Sequence, residues 1–132
     1  MDNAAEYSFQ YMPEGSIFKF TWKEKLISAE RFKEILTLYS SKVLELKPTF
    51  LMVDARLNKF TMTNEIQDWH DTKIVPIYQK AGVKAMAFLT PENIFSELTH
   101  KKAFNTETAK SSLTTQFFKD EKALLAWFDL IR

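Results

Sequence analysis

The sequence predicts an α/β fold built on one mixed β-sheet, and three observations carry this. Two segments near the start alternate bulky apolar with polar residues around a turn signal. Later strand candidates are short continuous apolar runs, the pattern of strands covered on both faces. Stretches of helical period fall between those runs. The order is ββαβαβαβα: an N-terminal antiparallel hairpin followed by parallel βαβ units, because strands alternating with helices imply parallel crossovers.

Tyr7, Phe9 and Tyr11 alternate with Ser8, Gln10 and Met12; Phe18, Phe20 and Trp22 alternate with Lys19, Thr21 and Lys23. A period of two is that of half-buried strands. Pro13-Glu14-Gly15-Ser16 between them reads as a hairpin turn, since proline fixes φ and glycine tolerates positive φ. Ser28 can cap a helix that carries Glu30 in its first turn. Phe32, Ile35, Leu36, Tyr39, Val43 and Leu46 recur at helical spacing, and Lys47-Pro48 ends the run because proline disfavours the α conformation just before it.

Phe50-Leu51-Met52-Val53 is a buried strand that stops at Asp54-Ala55-Arg56. Thr63 opens a second helix with Ile66, Trp69, Ile74, Ile77 and Tyr78 as its apolar positions. Pro76 should bend it near Thr72, and Gly82 can end it in the left-handed conformation. Val83 to Leu89 is a second buried strand. Thr90-Pro91 starts a helix with Pro at its first position and Ile94, Phe95 and Leu98 following; residues 101–110 read as a further short helix. Thr114 to Phe118 is the last strand. Asp120 caps a final helix with Leu124, Trp127, Phe128 and Ile131 facing inward. No repeat, low-complexity tract or linker interrupts this order, so residues 1–132 read as one domain.

Composition agrees. A chain of 132 residues has the size of one domain, and one of about 150 buries roughly 68–70% of its unfolded surface. Twelve Phe, four Tyr and three Trp supply core material without staples. Eighteen basic residues balance seventeen acidic ones, and the two signs are mixed along the chain. The basic pairs Lys23/Lys25 and Lys101/Lys102 fall short of the patch a nucleic-acid binder shows, so no nucleic-acid binding is expected. The absence of cysteine excludes disulfides, thiolate metal sites and cysteine nucleophiles. The polar, acidic start does not read as a secretory signal, and no apolar run approaches the ~20 residues that span a bilayer. A cytoplasmic protein with no membrane span is the expectation.

Specific residues then carry a resemblance. A strand ends in Val53-Asp54-x-Arg56, the helix after it holds Trp69 and Pro76, and Gly82-Val83-Lys84 leads into Ala85-Met86-Ala87-Phe88-Leu89. The chain closes on Phe117-Phe118 and a helix with Ala123 and Ala126-Trp127-Phe128. Over nearly its whole length the chain resembles the SpoIIAA-like group of the STAS and Sec14-like superfamily, in particular small stand-alone bacterial proteins of Bacteroidetes type. That resemblance implies an anti-sigma-factor-antagonist type of module. Such a module binds a kinase-like partner and is switched by phosphorylation of a Ser or Thr at the start of the helix after the Asp-ending strand. Here Asp54-Ala55-Arg56-Leu57 replaces the family's Asp-Ser-Ser-Gly type of segment, and no Ser lies between Asp54 and Trp69. Thr61 and Thr63 are the hydroxyls left near the helix start, as phosphoacceptor candidates or as ordinary caps. The Sec14-like branch of the superfamily carries apolar ligands in a pocket built from extra elements.

Asp54, Arg56, Thr90 and Lys119 fall at the carboxyl ends of strands, where open α/β sheets place their ligand crevice. In one reading Arg56 grips an anionic or small polar ligand with paired hydrogen bonds. In the other, Asp54 accepts N–H bonds from its own loop and Arg56 pairs locally. His70 precedes Asp71, but adjacent helical residues do not face each other, and His70 reads as solvent-facing. Two His without ligand spacing make no zinc site, and two Gly exclude a Gly-rich phosphate loop. No catalytic residue, metal or cofactor is assigned, and no enzyme is expected. Ile74 and Tyr78 point partly outward on the predicted helix, as candidates for a homodimer or partner surface on which Tyr78→Asp would weaken association without unfolding the domain. The function expected is a non-enzymatic interaction or regulatory module with a protein partner or self-association; the alternative is a small-ligand carrier or sensor.

Overall fold

A computed structural model describes residues 3–58, 60, 62–91 and 113–132. Five strands form one sheet in the order β1-β2-β3-β4-β5: β1 Tyr7–Met12, β2 Ile17–Trp22, β3 Phe50–Asp54, β4 Ala85–Leu89 and β5 Thr114–Phe118. β1 and β2 are antiparallel and every later neighbour is parallel, so the mixed α/β sheet expected from the sequence is present. The helix expected after Pro91, with Ile94, Phe95, Leu98 and the second piece over 101–110, lies outside the described residues, as do His100 and Thr61.

The hairpin turn forms at Pro13–Ser16, but positive φ falls on Ser16 (53°) rather than on glycine. Gly15 serves through its missing Cβ, which would come 2.9 Å from Ile17 Cδ1 and 3.0 Å from Arg132 Nη2. The turn is tied to the strand beyond it: Ser16 O accepts from the N–H groups of Thr49 and Phe50.

α1 (Ala29–Leu46) starts where Ser28 Oγ accepts the Arg31 N–H and ends at Lys47, whose left-handed φ of 50° avoids the α conformation that Pro48 disfavours. α2 (Asn64–Trp69) and α3 (Val75–Lys80) are joined by a π-helical turn, His70–Ile74, in which the Val75 N–H donates to His70 O. This wide turn is what the chain does about Pro76: a ring that would crowd the Thr72 carbonyl and lacks an N–H sits just past a turn with one extra residue. Gly82 then takes φ +87° and the Val83 N–H donates to Tyr78 O, closing α3 with a left-handed cap. α4 (Glu121–Ile131) is capped by Asp120.

Right-handed crossovers put α1 and α2–α3 on the same face of the sheet. The core there packs Phe32, Ile35, Tyr39 and Tyr78 onto Phe9, Phe18, Phe20, Leu51 and Val53. Tyr39 is fully buried, stacks on Phe18 at 4.8 Å, and donates its hydroxyl to Phe18 O at 2.8 Å. The other face is covered by α4, which sets Leu124 and Phe128 on Ile17, Phe50, Met52, Ala85 and Ala87.

The π-helical turn also corrects the expected surface. Ile74 and Tyr78 are buried, 2% and 1% exposed, and neither is available to a partner. On an uninterrupted α-helix Tyr78 stands about 120° round from Ile66. One extra residue in the turn sets everything after it back by roughly 100°, which brings Ile74 and Tyr78 into line with Ile66. His70 opens the turn and, only about 40° round from Ile66, already lies on the inward side. Its side chain is 14% exposed instead of solvent-facing, and Nδ1 lies 3.4 Å from Asp71 Oδ1. Burial lowers the His70 pKa, and the Asp71 carboxylate opposes that shift without reversing it.

Candidate functional site

The candidate site lies at the carboxyl ends of β2, β3 and β4. Asp54 is the last residue of β3, in register with Thr21 on β2 and Leu89 on β4, and its side chain turns to the α4 face. There it is 11% exposed and meets Arg56 in a forked pair: Nε to Oδ1 at 2.9 Å and Nη2 to Oδ2 at 2.7 Å. The Arg56 N–H adds a third bond to Oδ1 at 3.2 Å. Ala55 is still tied to β4 by its N–H bond to Leu89 O, and the chain turns at residues 56–57 immediately beyond it.

Burial pushes the Asp54 carboxyl up, but the hydrogen bonds from the Arg56 side chain and backbone outweigh it, and Lys19 adds to them. The carboxyl therefore sits below its ordinary range. Lys19 and Glu121 complete the charge set; sequence reasoning did not place them here. Lys19 shares the face of Asp54 through strand alternation, and its ammonium lies 3.2 Å from Glu121 Oε1 in the first turn of α4. The alternation that turned Lys19 away from Phe18 and Phe20 was visible in the sequence; a partner 102 positions away was not. Two cations and two anions leave the cluster neutral. The edge of the guanidinium that matches a carboxylate is already filled, and Asp54 is ionised at neutral pH, accepting hydrogen bonds rather than supplying a proton.

The other sequence candidates do not converge on this pair. Thr90 is buried, yet its hydroxyl bonds to neither Asp54 nor Arg56: it follows Leu89, the register partner of Asp54, so alternation turns it toward the opposite face. Its N–H donates to Phe118 O. Among the described residues Thr90 Oγ1 is the buried side-chain polar atom without a hydrogen-bond partner. Lys119 stands exposed in the bend before the Asp120 cap. Thr63 caps α2, its Oγ1 accepting the Ile66 N–H at 3.2 Å. Among the described residues no cluster of three or more His, Cys, Asp or Glu is placed to hold a metal, and no helix is long and apolar enough to cross a membrane.

The Asp54–Arg56 pair makes a testable pH prediction. The folded pKa of Asp54 lies below its unfolded value, so between the two the unfolded chain binds more protons. Its stabilisation is present above about pH 4 and is lost as pH falls through the lower folded value. Arg56→Ala should cost about 1–2 kcal/mol at pH 6, since the buried carboxylate loses its main partner while Arg56 itself was half exposed. The cost should shrink toward pH 3, as the carboxyl left without Arg56 takes up a proton. Urea midpoints of both proteins at the two pH values check this, and a penalty independent of pH would show that the pair is not what Arg56 contributes.

Comparison of the chain with protein-family models, curated proteins and solved structures finds no match.

Proposed function

We propose that this chain is a non-enzymatic interaction or regulatory module of the STAS-like, SpoIIAA-like type, which docks a protein partner on the carboxyl edge of its parallel strands. One observation carries this reading. Of the six large apolar side chains that stand exposed among the described residues, three, Leu26 (79%), Leu57 (50%) and Met62 (44%), lie in the two loops that leave β2 and β3. These strands are parallel neighbours, so both loops open on one edge of the sheet. The loops are also tied together from below: Trp22 at the end of β2 stacks on Phe32 at 5.5 Å, and Phe32 stacks on Phe60 at 4.2 Å. Phe60 thus anchors the second loop while Leu57 and Met62 face outward. Exposed apolar side chains on two anchored loops at one sheet edge, with the charge pair at that edge already satisfied, suit a protein partner better than a small anion.

The order of one antiparallel strand followed by four parallel ones, with Asp54 closing the strand before a capped helix, is the arrangement the family resemblance implies. It supports the reading without depending on Thr61 or Thr63 as a switch. A second reading, a carrier or sensor of a small ligand at the same strand ends, draws on the unpartnered hydroxyl of Thr90.

The test is paired capture from a lysate of the source organism with the wild-type chain and with the Leu26→Asp/Leu57→Asp variant. A partner held by the first and lost by the second, with both folded by circular dichroism, is the expected result. Capture that ignores the double substitution removes the carboxyl edge as the docking surface. Native mass spectrometry of the same preparations covers the second reading: an added small-molecule mass that disappears in Arg56→Ala or Thr90→Val would replace the first.

A further inference from the structure

α1 carries an exposed stripe on the side away from the sheet. Glu34, Thr37, Leu38 and Ser41 stand at i, i+3, i+4 and i+7, so they share one helical face, and all four are exposed. With Lys33 and Trp69 they line an open groove of about 590 Å³ between α1 and α2. Lys33 Nζ lies 5.6 Å from the centre of the half-buried Trp69 ring, forming one wall. Leu38, 37% exposed, is the apolar centre of the stripe, and the small side chains of Thr37 and Ser41 leave room for another backbone to approach.

The charges on this face match their own reversal. Turning the helix end for end about Leu38 carries position 34 onto 42 and position 31 onto 45. Glu34 then faces Lys42, and Arg31 faces Glu45. Both exchanges join opposite charges. Residues 34, 38 and 42 also lie on one i±4 ridge, the kind of ridge by which two helices interdigitate. A twofold axis makes each contact twice, so a pattern that reverses onto itself fits a second copy of the same chain. The inner exchange carries most of the attraction, because Arg31 is held by Glu6 at 2.8 Å, whereas Glu34 meets Arg31 of its own helix only at the longer 3.4 Å.

We infer that the chain forms a homodimer through an antiparallel α1–α1 contact centred on Leu38, with Trp69 flanking it. This surface is distinct from the carboxyl edge and does not depend on a partner docking there. A single helix pair falls at the small end of specific interfaces, so the dimer is a weak, reversible one.

Analytical ultracentrifugation from low micromolar to near-millimolar concentration reads it directly. The wild type should pass from monomer to dimer over that range, and Leu38→Asp should remain monomeric. Glu34→Lys and Lys42→Glu should each weaken the dimer by about tenfold, because each turns two attractive pairs into two repulsive ones. The double variant Glu34→Lys/Lys42→Glu restores both opposite-charge pairs and should recover the wild-type constant. A monomeric wild type, a dimer indifferent to Leu38→Asp, or a folded double variant that fails to recover each overturns the assignment. The carboxyl-edge reading is read separately, since these α1 substitutions should leave partner capture unchanged.

Discussion

Tyr78→Asp is expected to leave no folded protein at room temperature, and Tyr78→Phe to stay folded. Tyr78 is 1% exposed and packs edge-on to Tyr39 at 6.1 Å, within the core between α1, α3 and the sheet. Burial raises the pKa of its phenol, a sign of how little the site tolerates charge. Removing a buried aromatic side chain costs about 3–5 kcal/mol. A carboxylate in its place must either be buried without a partner or take up a proton, at a further cost of several kcal/mol. Together these approach the roughly 5–15 kcal/mol by which domains are stable. Circular dichroism and size-exclusion chromatography decide the matter. A compact Tyr78→Asp protein with native helix content would put Tyr78 on the surface and the π-helical turn in the wrong phase.

The same residue marks where the sequence was legible and where it was not. Strand alternation, the two apolar runs, the Ser28, Thr63 and Asp120 caps and the Gly82 stop are local signals, written within a few residues of where they act, and the structure has each of them. The phase of the helix carrying Tyr78 was not local in that way. Pro76 announced an irregularity near Thr72, but whether the chain bends or takes up an extra residue depends on what lies beneath it. Here the buried positions Ile66, Ile74 and Tyr78 gain by aligning on the core. At the candidate site Asp54 and Arg56 were readable as a pair because two positions separate them. Glu121 was not readable, because its link to Lys19 depends on α4 returning across the far face of the sheet. The exposed Leu57 and Met62 were equally hidden, since exposure in a loop is set by which neighbour, here Phe60, turns in.

Phe128→Ala should cost about 3–5 kcal/mol and release α4 before the rest of the domain opens. Phe128 is fully buried and its ring stacks on Phe50 at 4.3 Å and 15°. The core on the α4 face is a small cluster in which Leu124 and Phe128 are the two fully buried contributions from the helix. Ala85 and Ala87 beneath them let α4 lie close to the sheet and are themselves too small to fill the space that Phe128 would vacate. The rest of the helix is held more lightly, by Trp127 against Phe118 at 5.7 Å and by Arg132 at its end, which donates to Gly15 O at 2.8 Å and lies over the Phe50 ring. Such contacts steer a docked helix but do not replace a buried ring. Hydrogen exchange should therefore show α4 amides losing protection in the variant while β2, β3 and α1 keep theirs, because the opposite face has its own larger core. Uniform loss of protection across both faces would mean that the two cores open as one unit, and that α4 is needed for the sheet itself to persist.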